Sequence, residues 1–347
     1  MQQKKLGKSD VSVSSIGLGC WAFGGGTYWG KQSQEDVNET VHAALDKGIN
    51  FFDTAEVYNK GENEIALGKA LAGRRNEAVI CSKISPHNAA HIREHLLDSL
   101  KRLGTDYLDM YMLHWPLNPV SLQHFTAEGD SAGIPSITDI YHQLTALKKE
   151  GLIRCIGMSN FGAKQMAEVT AAQIQVDFNE IAYNIVSRAI EAEVVPFCQK
   201  NNISIIGSMA LQQGFLSGKY SSPEEIPPAQ AHSRHFKQIR GGAESRHREE
   251  GAEEEMFEVL SFLRSVSSET GFSLVEIAIA WVLNKPFIAS TLAGSRNTKQ
   301  LEANVAAGDL QLPSDVIMRI DEAGLPVLKK LGDSPDYYEN REKTRIY

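Results

Sequence analysis

The stretch LGTDYLDMYMLHWP, residues 103–116, contains the pattern from which we predict the fold. A helical pattern ends at Leu103, where Gly104 is a natural stop for a helix. A short, continuous apolar run then occupies Leu108–His114, as is typical of a strand that is buried on both faces. A helix that is followed by a glycine and a buried strand predicts a fold with parallel strands.

The same pattern recurs along the chain. Seven further runs are short, apolar and bounded by polar residues or glycine: Ile16–Cys20, Asn50–Asp53, Val79–Lys83, Arg154–Ser159, Val176–Ile181, Ser204–Ser208 and Ala289–Gly294. Amphipathic helical patterns lie between them: Glu35–Lys47, Glu62–Leu71, Ala90–Leu103, Ile137–Lys149, Gly162–Thr170, Arg188–Asn201 and Glu253–Thr270. Eight strands that alternate with helices fit a single closed (β/α)8 TIM barrel better than an open doubly wound sheet. A β-hairpin is predicted over Leu6–Val13, before the first barrel strand.

A length of 347 residues allows either two domains or one large barrel. No linker rich in serine, glycine or proline divides the chain, so we predict a single domain over residues 1–347. The barrel is expected to cover about residues 5–325, and a C-terminal tail residues 326–347. Residues 115–136, after the fourth strand, and 221–252, after the seventh, are too long for ordinary connections, and loops of that length are usually functional covers.

The composition argues against several classes of protein. A net charge of −8 argues against a general nucleic-acid binder, and no apolar run approaches the roughly 18 residues that a membrane helix needs. The N-terminus lacks the apolar stretch of a signal peptide. The four cysteines form no CxxC pair, which indicates buried thiols in a reducing compartment rather than disulfides or a zinc site. We expect a cytoplasmic enzyme that holds no metal and binds neither nucleic acid nor membrane.

Polar residues stand at the ends of three neighbouring predicted strands: Asp53, Lys83 and His114. Tyr58 follows Asp53 on the next loop. Each has a plain structural explanation when taken alone, but the C-terminal strand ends are where barrels carry their chemistry. A buried carboxylate and ammonium are tolerated only as a pair, and a tyrosine beside that ammonium should have a pKa below its usual value of about 10. Such a tyrosine can protonate a carbonyl oxygen while a cofactor supplies hydride, since no side chain donates one.

Six ordered motifs carry a family resemblance that runs from about Lys5 to about Ala307. They are DTAEVY at 53–58, GENEIALGKAL at 61–71, SK at 82–83, SLKRLGTDYLDMYMLHWP at 99–116, GLIRCIGMSNF at 151–161 and GSRNTKQLEAN at 294–304. In these motifs the chain resembles the aldo-keto reductases, in particular the bacterial sugar-linked and aryl-alcohol branch. The resemblance implies a barrel that binds NADP(H) or NAD(H) across its C-terminal face.

The resemblance also assigns roles to residues. It implies a catalytic tetrad of Asp53, Tyr58, Lys83 and His114, in which Tyr58 is the general acid and base. Arg296 falls where the family binds the adenosine phosphate, and its planar fork suits a 2′-phosphate, so NADP(H) is favoured and NAD(H) stays the alternative. The implied cofactor contacts are Ser159, Asn160, Glu180, Ser208, Leu211, Ser217, Gly218, Lys219, Gly294, Ser295, Arg296, Gln300 and Asn304.

Two positions depart from the family pattern near the expected nicotinamide. Glu180 stands where glutamine is usual, and an ionised carboxylate can only accept hydrogen bonds. The aromatic residue that normally stacks on the nicotinamide is missing near Ser208, and Ala210 replaces the usual proline. We therefore expect an intact tetrad beside an atypical nicotinamide pocket.

Aromatic residues are expected to line the substrate pocket: Trp21, Tyr28, Trp29 and Trp115. Aromatic walls with polar neighbours suit sugars and aryl aldehydes alike. The basic segment 231–248 is either a solvated loop or a cover for anionic groups. The aromatic C-terminal tail either closes over the pocket or docks on another subunit of a homo-oligomer.

The leading hypothesis is a nicotinamide-dependent oxidoreductase that interconverts a carbonyl and an alcohol on a small, carbohydrate-like aldehyde or ketone. One alternative is an enzyme that uses tightly held cofactor for a net non-redox conversion such as epimerisation. A second alternative is a non-catalytic binding or regulatory subunit with the same fold.

Overall fold

The computed structural model describes residues 1–26, 28–125 and 135–347, without the side chains of residues 123–125. Residues 126–134, which belong to the predicted long loop after the fourth strand, lie outside the described residues. The other predicted long loop, 221–252, is described throughout.

Eight parallel strands form the predicted closed barrel, in the order β10-β3-β4-β5-β6-β7-β8-β9. Each differs from its predicted run by at most two residues at either end. The eight observed strands are β3 (Ile16–Gly19), β4 (Phe51–Asp53), β5 (Val79–Ile84), β6 (Leu108–Leu113), β7 (Ile153–Ser159), β8 (Phe178–Ala182), β9 (Ser204–Ser208) and β10 (Ile288–Gly294).

A short antiparallel hairpin precedes the barrel, as predicted. Its strands, β1 (Gln3–Lys5) and β2 (Ser12–Ser14), flank the turn. Leu6, Val11 and Val13 form a hydrophobic cluster with side chains from the barrel strands, among them Phe51 and Val79 at strand starts. The hairpin thus packs against the N-terminal end of the barrel, opposite the strand ends that carry the candidate site.

Helices surround the barrel because their apolar faces pack on the outside of the strands. Helix α1 shows how the sequence sets a boundary: Ser33 and Asp36 form a capping box, and buried Val37, Val41 and Leu45 recur at helical spacing. The helices are α1 (Gln34–Asp46), α2 (Glu62–Ala70), α3 (Ile92–Leu103), α4 (Pro119–Phe125), α5 (Ile137–Lys149), α6 (Ala163–Ala171), α7 (Val194–Asn201), α8 (Gln238–Gly241), α9 (Glu253–Thr270), α10 (Leu274–Leu283), α11 (Thr298–Ala306) and α12 (Ser314–Leu331).

Three observations on these helices bear on the predictions. Helix α7 begins at Val194 rather than at Arg188, because a separate 3-10 turn occupies Ala189–Glu191. Helix α12 continues past residue 325, since Val327 extends its buried face, so the non-helical tail begins at Gly332. Among the described residues no single helix is long and apolar enough to span a membrane. Helices α9 and α10 meet both conditions only when they are taken together, and a bend of 98° separates them.

Candidate active site

The structure brings the four predicted catalytic side chains together. Asp53 ends β4, Lys83 lies near the end of β5, His114 follows β6, and Tyr58 begins a 3-10 turn after β4. Lys83 Nζ donates to Asp53 Oδ1 and, at 2.9 Å, to the main-chain oxygen of Thr54. The same Nζ lies 5.2 Å from the centroid of the Tyr58 ring, and the Tyr58 and His114 ring centroids are 5.6 Å apart. Adjacent parallel strands therefore assemble the tetrad at the C-terminal end of the barrel.

The protonation of Tyr58 differs from the sequence-based expectation. Burial raises the pKa of Tyr58 above its ordinary value, and Lys83 opposes this effect without overcoming it. The expected sign of the lysine's effect is correct, but the expected net lowering of the pKa is wrong. Tyr58 is consequently a protonated phenol at neutral pH, ready to donate.

His114 is a neutral imidazole in this site. Burial and the nearby Lys83 ammonium hold the pKa of His114 well below its ordinary value. Its Nδ1 atom is buried and has no hydrogen-bond partner among the described residues. The main chain of His114 is fixed on both sides, because its N–H donates to Ile84 and its carbonyl accepts from Asn160.

Glu180 joins the tetrad, a role that sequence reasoning missed. It lies on β8 opposite Ser159 of β7, and its Oε2 is 3.7 Å from Lys83 Nζ. Burial, and then the charge of Asp53, raise the pKa of Glu180 to about 8. The sequence did contain a signal for this role, an acidic residue at a strand end, but we interpreted Glu180 as a cofactor contact that replaces the usual glutamine.

The predicted nicotinamide contacts surround the ends of β7, β8 and β9. Asn160 has a left-handed backbone (φ 61°), and its Nδ2 donates to Ser159 Oγ at 2.9 Å. Ser208 ends β9 and its carbonyl accepts from Tyr183, while the side chain of Leu211 packs against the hydrophobic core. No aromatic residue fills positions 208–211, so the departure seen in the sequence persists in the fold.

The predicted phosphate and adenosine contacts follow β9 and β10. Arg296 donates to the carbonyl of Lys31 at 2.7 Å, and Gln300 Oε1 accepts from the Arg296 N–H at 2.8 Å. Asn304 Nδ2 donates to Ser295 Oγ at 2.9 Å and to the Gly294 carbonyl at 3.2 Å. The remaining predicted contacts lie on the turn after β9: Ser217, which donates to Gly214, Gly218 with φ 78°, and exposed Lys219.

These residues fit a large polar ligand. Several buried atoms have no hydrogen-bond partner among the described residues, and Glu180 Oε2, Gln32 Oε1 and Arg296 Nε are among them. A buried polar atom without a partner costs about 1–3 kcal/mol, which a bound donor or acceptor would recover. Two acceptors, one on β8 and one on the loop before α1, and one donor after β10 suit the amide and phosphate groups of a nicotinamide dinucleotide.

Three of the four predicted pocket aromatics form one cluster beside Tyr58. Trp21 stacks on Tyr28 with centroids 5.0 Å apart, meets Trp29 edge-on at 5.3 Å and lies 5.9 Å from the Tyr58 ring. Trp115 is separate: the guanidinium of Arg345 lies 3.5 Å from the centroid of its ring. The structure therefore covers one face of Trp115 with the tail.

The tail and the loop after β9 complete the aromatic wall. His232 stacks on Tyr338 with centroids 5.0 Å apart and meets Tyr28 edge-on at 6.5 Å. Tyr338 also lies 6.3 Å from Trp115. Tyr338 belongs to the aromatic tail, for which closure over the pocket was one of two alternatives, whereas sequence reasoning did not place His232 in the pocket.

The basic segment 231–248 binds the protein itself rather than remaining solvated. Arg234 pairs with Glu249 at 2.9 Å and donates to three carbonyls of the tail region, at Leu331, Ser334 and Asp336. Other arginines of the segment pair in the same way, Arg240 with Glu224 and Glu253, and Arg246 with Glu339. Arg234 and Arg246 fasten the tail, so the alternative of a solvated loop is wrong, and these contacts compete with any role of the two arginines in binding phosphate.

Comparison with known proteins assigns the family. Residues 15–324 match the model of the Aldo/keto reductase family. The chain belongs to that family. It is an NAD(P)H-dependent oxidoreductase, as its family membership and its similarity to named reductases show.

Individual relatives cover most of the chain. It is 31% identical over 317 residues to the aldo-keto reductase YhdN of Bacillus subtilis, with 87% of each chain covered. It is 29% identical over 340 residues to the NADH-specific methylglyoxal reductase of Escherichia coli, with 90% of this chain and 95% of the relative covered. A thermostable aldo-keto reductase solved with the inhibitor epalrestat has a TM-score of 0.71 at 25% identity and covers 93% of this chain and 100% of its own.

Proposed function

We propose that this protein interconverts a carbonyl and an alcohol on a small, carbohydrate-like substrate, with Tyr58 as the general acid and base. One observation carries the proposal: protonated Tyr58 lies between the Lys83 ammonium and the neutral His114 imidazole. When hydride adds to a carbonyl carbon, an alkoxide develops on the carbonyl oxygen. That oxygen needs a proton donor and a hydrogen-bond donor, and these residues supply both.

Each member of the tetrad has a separate task in this mechanism. Tyr58 donates its phenolic proton to the substrate oxygen, and Lys83 stabilises the phenolate that remains. Asp53 holds the Lys83 ammonium in place, since a buried lysine without a partner would lose its proton. His114 stays neutral, so that it hydrogen-bonds the substrate oxygen without adding charge.

The cofactor would be held by Ser159, Asn160 and Glu180 at the nicotinamide and by Arg296 at the adenosine phosphate. When bound, it supplies or accepts the hydride that no side chain provides. We propose a preference for NADP(H), supported by the buried Arg296 Nε atom that has no partner among the described residues. NAD(H) is the alternative, because the related Escherichia coli methylglyoxal reductase is NADH-specific.

The aromatic wall supports a carbohydrate-like substrate. Trp21, Tyr28 and Tyr338 present broad apolar faces, and the buried Trp29 Nε1 and His232 Nδ1 atoms have no hydrogen-bond partner among the described residues. Sugars have apolar ring faces and hydroxyl edges, and this combination of surfaces matches both. A cytoplasmic location stays a prediction, supported by four free, buried cysteines, and so does homo-oligomer formation.

The test is the oxidation of NADPH or NADH, followed by absorbance, with a panel of ketoses, aldoses and aryl aldehydes. We expect turnover with sugars and a higher kcat/KM with NADPH. Tyr58→Phe should lower kcat by about 100-fold or more without changing the melting temperature, because a general acid contributes roughly 10²–10⁴-fold.

The panel also separates the alternatives. A folded protein that turns over none of these compounds would contradict the proposal. Nicotinamide that stays bound through purification, with sugar conversion but no net redox change, would support the epimerase alternative. A biological role that survives Tyr58→Phe unchanged would support a binding subunit.

A further inference from the structure

Two carboxyl groups share one ammonium ion at the centre of the site. The side chains of Asp53, Lys83 and Glu180 are 5%, 0% and 8% exposed. Lys83 Nζ donates to Asp53 and to the Thr54 carbonyl, whereas Glu180 Oε2 lies 3.7 Å away, beyond hydrogen-bonding distance. One buried cation therefore faces two carboxyl groups and hydrogen-bonds only one of them.

Among the residues that the structure describes, no other group near these carboxyls can compensate a second negative charge. The titratable neighbours are Cys20 after β3, Tyr58 after β4, Cys81 on β5 and His114 after β6. Burial favours the uncharged form of all four. Two ionised carboxylates would leave a net negative charge in a buried site, which is strongly unfavourable.

One of these two carboxyl groups must therefore carry a proton. The negative charge of Asp53 raises the pKa of Glu180. Asp53 already accepts from Lys83, which stabilises its ionised form, so the proton belongs on Glu180.

We propose that Glu180 is a positioning residue that carries a proton at neutral pH and, on losing it in weakly alkaline solution, weakens the support that Lys83 gives to Tyr58. Only the consequence for Tyr58 rests on the proposed function. With Glu180 protonated, Lys83 faces a single negative charge, that of Asp53. Glu180 Oε2, which has no donor among the described residues, then is a neutral acceptor for an amide N–H.

The direction of the pH effect follows from the charges. Glu180 has a pKa of about 8, so it ionises as the pH rises through that value. The ionised form adds a negative charge beside Lys83, and negative charge from Glu180 raises the pKa of Tyr58. A phenol that is harder to ionise is a weaker acid for reduction, and it becomes a base for oxidation only at higher pH.

Infrared spectroscopy of the ligand-free protein tests the proton itself. We expect wild type to show the band of a protonated carboxyl group in weakly acidic solution, and this band should disappear as the pH rises through about 8. Glu180→Gln should lack the band. The matched control is Glu191→Gln, which removes a glutamate that hydrogen-bonds Tyr183 at 2.6 Å outside the tetrad and should keep the band.

Three outcomes would overturn the proposal: no such band in wild type, a band that persists in strongly alkaline solution, or a band that survives Glu180→Gln and is lost in Asp53→Asn. The last result would place the proton on Asp53. If Glu180→Gln does not fold, Asp53→Asn decides the assignment: a band that persists in this variant in weakly acidic solution supports Glu180, and loss of the band overturns the proposal.

Alcohol oxidation against pH tests the consequence for Tyr58. Glu180→Gln should reach its alkaline maximum about one pH unit lower than wild type, because the added charge is absent. Identical profiles would contradict the link to Tyr58. If no alcohol or carbonyl reacts at all, the proposed function fails, while the infrared result still decides where the proton lies.

Discussion

Lys83 lies at the centre of the tetrad in a fully buried position. Its ammonium group hydrogen-bonds Asp53, faces Glu180 and lies beside the Tyr58 ring. Burial lowers the pKa of Lys83, but the negative charge of Asp53, joined by that of Glu180 once it ionises in alkaline solution, more than offsets this and leaves the pKa well above its ordinary value. Lys83 therefore stays charged, and it is the one group in the tetrad that lowers the pKa of Tyr58.

Replacing Lys83 with methionine should affect both rate and pH dependence. We expect kcat to fall by about 100-fold or more, since Tyr58 loses the charge that stabilises its phenolate. The alkaline rise of alcohol oxidation should move to higher pH. Lys148→Met is the control, because Lys148 also pairs with a buried aspartate, Asp177 at 3.2 Å, but away from the tetrad. Equal losses in both variants would show a structural effect instead.

At the scale of single elements, the strands are positioned by close contacts between small and large side chains. Gly157 of β7 stands opposite Phe178 of β8, and a Cβ atom on Gly157 would lie 2.1 Å from the Phe178 ring. The ring therefore occupies the volume that a side chain at 157 would need. This packing sets the spacing of β7 and β8, which carry Ser159 and Glu180.

Gly157→Ala should lower the free energy of unfolding by about 1–3 kcal/mol, because overpacking a dense core forces its neighbours to move. Gly19→Ala is the matched control on a barrel strand, since its nearest contact would be an ordinary 3.8 Å. Denaturant unfolding of both variants measures the difference. An equal effect of the two substitutions would contradict the role of Phe178.

At the scale of the whole molecule, the tail is fastened across the site end of the barrel by buried charges. Asp336 and Arg345 form an ion pair at 2.8 Å in which both side chains are 0% exposed. The carbonyl of Arg345 accepts from Asn118 on the loop after β6 and from Gln165 on α6. Three distant parts of the sequence meet here, and they hold Tyr338 in the aromatic wall.

Asp336→Asn should release the tail and destabilise the protein by about 3–5 kcal/mol, because it leaves a buried arginine without its partner. Trypsin cleavage near the C-terminus and denaturant unfolding measure the two effects. Arg319→Ala removes an exposed pair with Glu269 and should leave the free energy of unfolding nearly unchanged. Comparable losses in the two variants would contradict the importance of the buried pair.

Acid should weaken the same contact. Burial alone would raise the pKa of Asp336, but Arg345 more than offsets this and holds that pKa below its ordinary value. A depressed carboxyl pKa contributes stability that is present above the unfolded pKa of about 3.9 and is lost as the pH falls below it. We expect tryptic cleavage of the tail to rise in that acidic range in a wild-type protein that still gives the circular dichroism of a folded barrel.

The amino-acid sequence was enough to predict the barrel and to place Asp53, Lys83 and His114 in one predicted site. Continuous apolar runs that alternate with amphipathic helices specify parallel buried strands, and the ends of neighbouring parallel strands must meet at one edge. For that physical reason Asp53, Lys83 and His114 could be grouped before any coordinates were known.

The folded structure was needed to establish which groups of the site are protonated and which partners its charged side chains have. Two opposing effects set the pKa of Tyr58: burial by groups from many elements raises it, and the charge of Lys83 lowers it. Local sequence does not show which effect is larger. The partners of Glu180 and Arg234 are likewise far away in the chain. A charge is recognisable in the sequence, but its energy depends on solvent exclusion and on neighbours that only the folded chain brings together.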